Sequence, residues 1–529
     1  MVYQERVAIS LHDAQFPQGS DSRQPIPEDM QDEVIAHISR FKRTCLDFGV
    51  LESNIAVLAT AATRLAPNSR EFMTNIERAT GWHVQLLPQE EDGLLGAWGV
   101  VSSLPNVEGL VIDLGGGSMQ MSWVSKDGDM QKSVTGVVSL PYGAATLPRE
   151  DMNPSTELAR DMQNNIQKAC ATLRGPESTS QLDGTDLYLT GGGFRAWGHL
   201  LMSTSEQYPY PIPMINGFKT DSKDFKKRDF MISTLNAIDR GHEAFRISQR
   251  RATQLPAVAN LVMSITQTIP SIRNVWFCQG GIREGFLFNI LPPEICSHDP
   301  LVVATMPHRT TGSDSISSIL QTAFPMARDS EPAKSFIPTT LNASFVTAFS
   351  NTMYAHSTVP KDSRPATALR CTTTGLLASA QGLSHENRAL LALALYERWS
   401  GDLLPPDEEL LESMRRMMSM EEVWWCKYLG RVAAALAEAY PAGIVPAAET
   451  DPRISFKASL ESKARPRKGG MKHTLKLVIK VAELTVTRES LKRIEKLGKK
   501  KNWARAEGRR KEMNLEDWGL KVDVDMRWK

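Results

Sequence analysis

Apolar residues at Val34, Ile35, Ile38, Phe41 and Leu46 follow Pro27-Glu28-Asp29-Met30 at helical spacing, and Gly49 ends the run, so a helix is predicted here. Ile55-Ala56-Val57-Leu58-Ala59-Thr60 reads as a buried strand. Asn68-Ser69-Arg70-Glu71-Phe72 opens a second helix with Ser69 as its cap, His83-Val84-Gln85-Leu86-Leu87 forms a short strand, and Gln89-Glu90-Glu91-Asp92 leads into a third helix. Further strands are predicted at 110–114, 119–124, 187–190 and 275–278, with a hairpin turn at Asp127-Gly128 and a long helix across 154–173. Strands alternating with helices predict an α/β sheet protein. Three of these strands break into glycines, at Gly115-Gly116-Gly117, Gly191-Gly192-Gly193 and Gly280-Gly281. Paired glycines occur in ordinary turns, but three such breaks in one region suggest loops converging on one ligand.

The pattern changes after residue 295. Residues 296–335, rich in Ser, Thr and Pro from about 300, read as a linker, and 336–445 as almost wholly helical, with Ala389-Leu390-Leu391-Ala392-Leu393-Ala394-Leu395 at its centre. Pro446 to Asp451 reads as a second linker. In 452–529, Thr474 to Val481 and Trp518 to Asp525 alternate as strands do, and a basic helix is predicted from Leu491 to Lys501, giving a small α+β section.

A hydrophobic share of 41% and a charged share of 23% are those of a globular protein, and 529 residues exceed what one core can serve. The formal net charge of +1 hides an asymmetry. From Arg453 to Lys511 there are 20 Lys/Arg against five Asp/Glu, which leaves the remainder at about −14. Six scattered cysteines offer no metal-ligand spacing and no dense disulfide framework, so they read as buried free thiols in a reducing compartment. No signal sequence or membrane span is evident, and a cytoplasmic protein is expected.

The densest chemistry lies in Leu110-Val111-Ile112-Asp113-Leu114-Gly115-Gly116-Gly117-Ser118. Glycines let backbone N–H groups approach an anion without side chains in the way. An aspartate at the strand end can hold a water or a hydrated metal ion beside that anion. These residues suggest a phosphate site.

Five ordered motifs resemble those of the exopolyphosphatase/guanosine-pentaphosphate phosphatase (Ppx/GppA) family: Thr60-Ala61-Ala62-Thr63-Arg64-Leu65-Ala66-Pro67-Asn68-Ser69, Gln89-Glu90-Glu91-Asp92, Asp113-Leu114-Gly115-Gly116-Gly117-Ser118, Pro141-Tyr142-Gly143-Ala144 and Gly280-Gly281-Ile282-Arg283-Glu284-Gly285. The chain resembles in particular the fungal branch typified by a regulator of mitochondrial retrograde signalling. The resemblance implies a duplicated actin-like (ribonuclease H-like) α/β core, split at 1–108 and 109–295, with a ligand cleft between the two domains. It implies Glu91, Asp92 and Asp113 as catalytic carboxylates, and Asp113 as the holder of Mg²⁺. Arg64, Gly115, Gly116, Gly117, Ser118, Gly191 and Gly192 would bind phosphate, and Gly280 and Gly281 a nucleotide such as ATP. In the family, water attacks the terminal phosphorus of a phosphoanhydride.

Several departures from the family pattern bear on activity. The sequence opens at a segment that matches the family after its first phosphate loop, "D-x-G-S-N", so a weakened or absent hydrolase and a less stable first domain are expected. Met119, Gln120 and Thr146 replace the usual threonine, glutamate and arginine. Asp92 occupies the place of a glutamate base, with Glu91 able to serve if the register shifts by one. The helical region resembles HD-type metal phosphohydrolases, but Tyr396-Glu397 stands where His-Asp is needed, which argues for a scaffold or interaction role. His356 and His385 read as structural histidines, and Trp424-Trp425 as core. The basic tail, including Lys499-Lys500-Lys501 and Arg509-Arg510-Lys511, reads either as a polyanion-binding surface or as a solubilising one. Its sparse aromatics argue against a nucleic-acid reader.

Two functions follow. The first is a retrograde-signalling regulator that binds a nucleotide or polyphosphate and controls a protein partner, with a homodimer also allowed. The second is a working exopolyphosphatase-type hydrolase.

Overall fold

The computed structural model describes all residues except 1–2, 8, 18–21, 128–130, 148–155, 175–183, 206, 208, 227–246, 270, 326–335, 447–450, 465–470, 484, 505–516 and 529. The chain forms two compact units, Met1–Met202 with Ile215–Ser297, and Ser203–Met214 with His298–Lys529.

The first unit begins with a single turn, α1 (Leu11–Ala14), and the amphipathic helix α2 (Glu28–Asp47). Strand β1 (Val57–Ala59), helices α3 (Ala61–Arg64) and α4 (Ser69–Thr80), and strand β2 (Val84–Leu86) follow. Asn68, not Ser69, occupies the N-cap position of α4. The Asn68 amide accepts from the N–H of Ile26 and donates to the Ile26 carbonyl, fixing the entry of α2. Strands β1 and β2 pair in parallel as a two-stranded sheet, and Ile26, Ala66, Phe72, Ile76 and Val84 form the small core beneath.

Helix α5 (Gln89–Val101) leads to a six-stranded sheet. Its strands are β3 (Gly109–Leu114), β4 (Met119–Asp127), β5 (Gln131–Leu140), β6 (Thr185–Gly191), β7 (Phe218–Asp221) and β8 (Ile272–Phe277), in the order β5-β4-β3-β6-β8-β7. An antiparallel meander, β5-β4-β3, continues into parallel β6 and β8, and β7 closes the edge antiparallel. Leu110, Val111 and Ile112 are all buried, as a central strand covered on both faces requires. Helices α6 (Thr156–Arg174), α7 (Gly192–Ser203), α8 (Leu255–Thr268) and α9 (Ile282–Asn289) complete the unit.

The division expected at residue 108 is not a boundary between compact units. Helix α5 belongs to the earlier half, but its Ala97, Val100 and Val101 share one core with Val111 and Val124 of the sheet and with Tyr188 and Cys278.

The second unit is helical with a three-stranded sheet, and one continuous core serves both. Residues 296–335, expected as a linker, instead contain helices Pro300–Thr305 and Ser313–Gln321, whose Leu301, Ile316 and Leu320 are buried in that core. Apolar periodicity hidden among serines and threonines was enough to fold them in. The helices Ala343–Thr352, His385–Trp399, Pro405–Met417 and Met420–Ala439 match the expected helical region. The basic section forms β9 (Ile454–Ala464), β10 (Met471–Val481) and β11 (Lys521–Trp528), with the helix Arg488–Glu495 beside them. Leu475, Leu477, Ile479, Leu491 and Ile494 point into the same core, so this section is not a separate body. Of its basic runs, Arg509-Arg510-Lys511 lies outside the described residues. Trp424 and Trp425 are buried, and the six cysteines are unbridged, three of them buried. No described helix is long and apolar enough to cross a membrane.

Segment Ser203–Met214 enters this unit from between two stretches of the first. There the Nε2–H of His385 donates to the Met214 carbonyl (2.9 Å), and Nδ1 accepts from the Tyr210 hydroxyl (2.8 Å). The two bonds hold the ring of His385 in place and give it a structural role.

One substitution tests the packing of α5 on α9. A Cβ on Gly285 would fall 1.8 Å from the Leu95 carbonyl oxygen. Alanine in a helix normally stabilises by about 1 kcal/mol over glycine. Here Gly285→Ala is expected to lower the melting temperature instead, at a cost of about 2–3 kcal/mol from overpacking, as measured by thermal unfolding.

Candidate functional site

The register of the sheet brings the candidate residues together. Leu114 pairs with Gly191 and Asp113 with Thr190, so the loop after β3 and the start of α7 emerge side by side from neighbouring parallel strands. The crevice outside the carboxyl ends of such strands is where α/β sheets hold ligands.

The loop Gly115–Ser118 is held from behind. The N–H groups of Ala144 and Ala145 donate to the carbonyls of Gly115 and Gly116 (3.0 and 2.9 Å), and the N–H of Gly115 donates to the Ser118 carbonyl (2.9 Å). A Cβ on Gly143 would lie 2.1 Å from the Gly116 oxygen, which explains the glycine of the Pro141-Tyr142-Gly143-Ala144 turn. Among the described residues the N–H groups of Gly116 and Gly117 donate to no acceptor of the chain, and both glycines are exposed. The Gln120 amide donates to the Ser118 hydroxyl (2.7 Å).

Asp113 stands at the end of β3 under close cover. Gly191 has φ of +93°, and a Cβ there would lie 2.8 Å from an Asp113 oxygen; one on Gly96 of α5 would lie 3.3 Å from the other. Burial raises the Asp113 carboxyl to about 6, Arg195 opposes the rise, and Asp92 adds to it. Asp92 sits in the first turn of α5, where the helix dipole favours a carboxylate. Its own titration is also raised by burial, against the pull of Arg64. The Arg64 guanidinium donates to the Leu87 carbonyl and lies 3.7 Å from the Asp92 carboxylate. Arg64, Asp92 and Asp113 are thus brought into one cluster. Glu91, the other base candidate, is half-buried in the same turn, and Glu90 is exposed.

The third glycine break has a different role. The Gly280 N–H donates to the Ser103 hydroxyl (3.0 Å), and its carbonyl accepts from Thr190 (2.8 Å). The Gly281 N–H donates to Glu284 (3.0 Å). A Cβ on Gly280 would lie 1.9 Å from the Gly99 oxygen. Both N–H groups expected to meet a nucleotide are therefore committed within the protein, and these glycines serve the approach of α5.

Sequence reading overlooked Arg195, one turn into α7. Burial and Arg6 lower its titration, Asp113 raises it, and Arg251 lowers it further, to about 10, so it stays charged at neutral pH. Arg251 lies over the start of the same helix: a Cβ on Gly192 would meet its guanidinium at 2.2 Å. The signal was an arginine one turn beyond a strand–glycine–helix junction, where the helix N-terminus already favours anions. Arg6 and Arg251 carried no local signal.

In the second unit Glu397 faces Arg415 (3.5 Å) and Arg431 (3.7 Å). A carboxylate held by two guanidinium groups is an ion-pair centre. Buried His356 is pushed down to about 4, chiefly by burial.

Comparison with known proteins identifies the family. Residues 2–294 match the model of the Ppx/GppA phosphatase family. The chain belongs to that family. Residues 299–529 match the RTG2 C-terminal domain. Retrograde regulation protein 2 of Saccharomyces cerevisiae is 35% identical over 478 residues, covering 87% of this chain and 80% of the yeast protein, which places the chain in the corresponding branch of the family. Exopolyphosphatase 1 of Mycobacterium tuberculosis is 28% identical over 281 residues, covering 52% of this chain and 78% of its own length. Among solved structures, an Aquifex aeolicus Ppx/GppA family member aligns at 23% identity and a TM-score of 0.40 over 50% of this chain and 81% of its own. An exopolyphosphatase from Cytophaga hutchinsonii aligns at 16% identity and a TM-score of 0.41, over 52% and 85%. The family's actin-like core accords with the strand order found here.

The raised Asp113 carboxyl has a signed consequence. Between about pH 4 and 6 the folded state binds more protons at this group than the unfolded chain does. Its contribution is therefore fully present below pH 4 and is lost as pH rises through 6, about 2–3 kcal/mol in all. Asp113→Asn is expected to melt higher than the wild type at pH 7.5, with the gap narrowing towards pH 4.5 in calorimetric scans.

Proposed function

We propose that this chain binds a phosphate-bearing ligand, a nucleotide or polyphosphate, at the β3–β6 strand ends. The bound state then controls a protein partner in mitochondria-to-nucleus retrograde signalling. The observation that carries the reading is the half-buried Arg195. It is accompanied by Arg6 and Arg251, beside a glycine loop whose Gly116 and Gly117 N–H groups have no acceptor among the described residues. Charge-assisted bonds from guanidinium groups and free backbone N–H donors are what phosphoryl oxygens require. The regulatory half of the reading draws support from the similarity to the yeast retrograde regulation protein along most of both chains.

Mg²⁺ fits the acidic side of the site. Asp92 and Asp113 repel each other, and a divalent cation between or beside them would relieve that repulsion. Among the described residues no three potential ligands converge, so the carboxylates would hold the ion jointly with ligand phosphates and water, as Mg²⁺ sites commonly do. When bound, the ion would neutralise phosphate charge. Asp113 and Asp92 would anchor its waters, Arg195 would hold phosphoryl oxygens, and Arg64 would keep Asp92 in place.

A second reading, hydrolysis, has one observation in its favour: Asp113, raised to about 6, is a carboxylate able to accept a proton from water near neutral pH. Against it, the neighbouring Asp92 is partly neutralised by Arg64.

Calorimetry with polyphosphate and guanine nucleotides in Mg²⁺, run beside a phosphate-release assay, separates the two readings. We expect binding that weakens at least tenfold in Arg195→Ala, with phosphate release at background. Turnover abolished by Asp113→Ala and by either Asp92→Asn or Glu91→Gln would replace the regulatory reading with the enzymatic one.

A further inference from the structure

We infer that Lys427, in the helical unit, is a modification site whose amine accepts the acyl group of a small acyl phosphate. It stands in the helix Met420–Ala439, one turn before Arg431, within the ion-pair centre of Glu397. Both carboxylates of that centre are already taken by arginines. Glu397 faces Arg415 (3.5 Å) and Arg431 (3.7 Å), and Glu412 takes the other arm of Arg415 (2.6 Å). Arg431 is further tied by its donation to the Arg493 carbonyl (2.9 Å). Lys427 is the third cation of the group, and among the described residues its ammonium makes no hydrogen bond and no ion pair.

A half-buried cation that has no partner and lies among other cations gives up its proton readily. Burial above all, and next Arg415, push Lys427 down to about 8; Glu397 and Glu412 oppose that shift, and Arg431 adds to it. At pH 7.5 roughly a quarter of such amines are neutral, against about one in a thousand for an ordinary lysine. A lysine desolvated beside another cation is thereby a nucleophile near neutral pH. Its nitrogen can also be reached: the Nε atoms of Arg415 and Arg431 are sealed from solvent, whereas Nζ of Lys427 is not. A partly open nitrogen admits a small donor ahead of a bulky one. In the step itself the amine attacks the acyl carbon, the N–C bond forms and the C–O bond to the phosphoryl group breaks. Phosphate leaves with the electron pair and takes up the amine proton, and Arg415, with a side chain 25% exposed, offers that anion a counter-charge from the same centre. The product leaves two guanidinium groups against two carboxylates, so the cluster accommodates the change with its charges balanced.

The test incubates the full native chain with acetyl phosphate at pH 7.5 and follows each lysine by peptide mass spectrometry. Acetylation of Lys427 is expected to run at least about fivefold faster than that of the exposed Lys361 and Lys480, an advantage lost in the urea-unfolded chain. The rate at Lys427 should level off above about pH 8.5 in the native chain and keep climbing in the unfolded one. Arg415→Met frees Glu397 and Glu412 to pair with Lys427, and is expected to slow Lys427 about threefold or more while Lys361 is unaffected. The wild-type comparison needs no variant to fold. Labelling of Lys427 no faster than Lys361 and Lys480 in the native chain would overturn the inference. An advantage that survives unfolding would overturn it too, because the cause would then lie in the local sequence and not in the cluster.

Discussion

Backbone packed directly on backbone is the constraint from which the site follows. Helix α5 reaches the strand ends only because Gly99 meets Gly280 and Gly281, and Gly285 meets Leu95, at distances that no Cβ could occupy. Ser103 bonds both Gly99 and Gly280, and Thr190 bonds Gly280 from the neighbouring strand, so α5, β6 and the loop after β8 are joined by one short chain of hydrogen bonds. That approach sets the first turn of α5, and with it Asp92, against Asp113. A bulkier contact would hold the two carboxylates apart and dissolve their coupling.

The electrostatics of the cluster follow from this enforced proximity. Two carboxylates share a poorly solvated space, and each is raised by burial. Guanidinium groups stand on either side, Arg64 on Asp92 and Arg195 beside Asp113. In a low-dielectric setting such an arrangement is costly to assemble unless further charge arrives, because like charges interact strongly there. An anionic ligand with its counter-cation supplies both signs at once. The same residues would serve the proposed binding whether or not a chemical step follows.

How far the sequence revealed this depends on the range of the interaction. Asp113 and the glycine loop were legible because strand, aspartate and glycines are contiguous. Arg64 and Asp92 were legible through motif resemblance, and they meet. The glycines at 280–281 misled, since a residue without a side chain looks the same whether it admits a ligand or another segment of backbone. Arg195, Arg251 and Arg6 come from three separate stretches, and only the fold gathers them. The supposed linker at 296–335 failed for another reason: richness in Ser, Thr and Pro was read as a linker, although Ser313, Ser317 and Thr305 are buried, with Thr305 bonding its own helix. In the helical unit, the guanidinium partners of Glu397 lie 18 and 34 positions away and gave no local sign.

The passage of Ser203–Met214 into the second unit means that the chain crosses between units after Met202, after Met214 and after Ser297. A cut at the last crossing would not release a self-sufficient fragment. The downstream piece would leave His385 without the Tyr210 hydroxyl and the Met214 carbonyl that hold it. During synthesis Tyr210 leaves the ribosome 175 residues before His385. The second unit thus draws on two stretches of chain far apart in the order of synthesis, and the contacts of His385 wait for the later one.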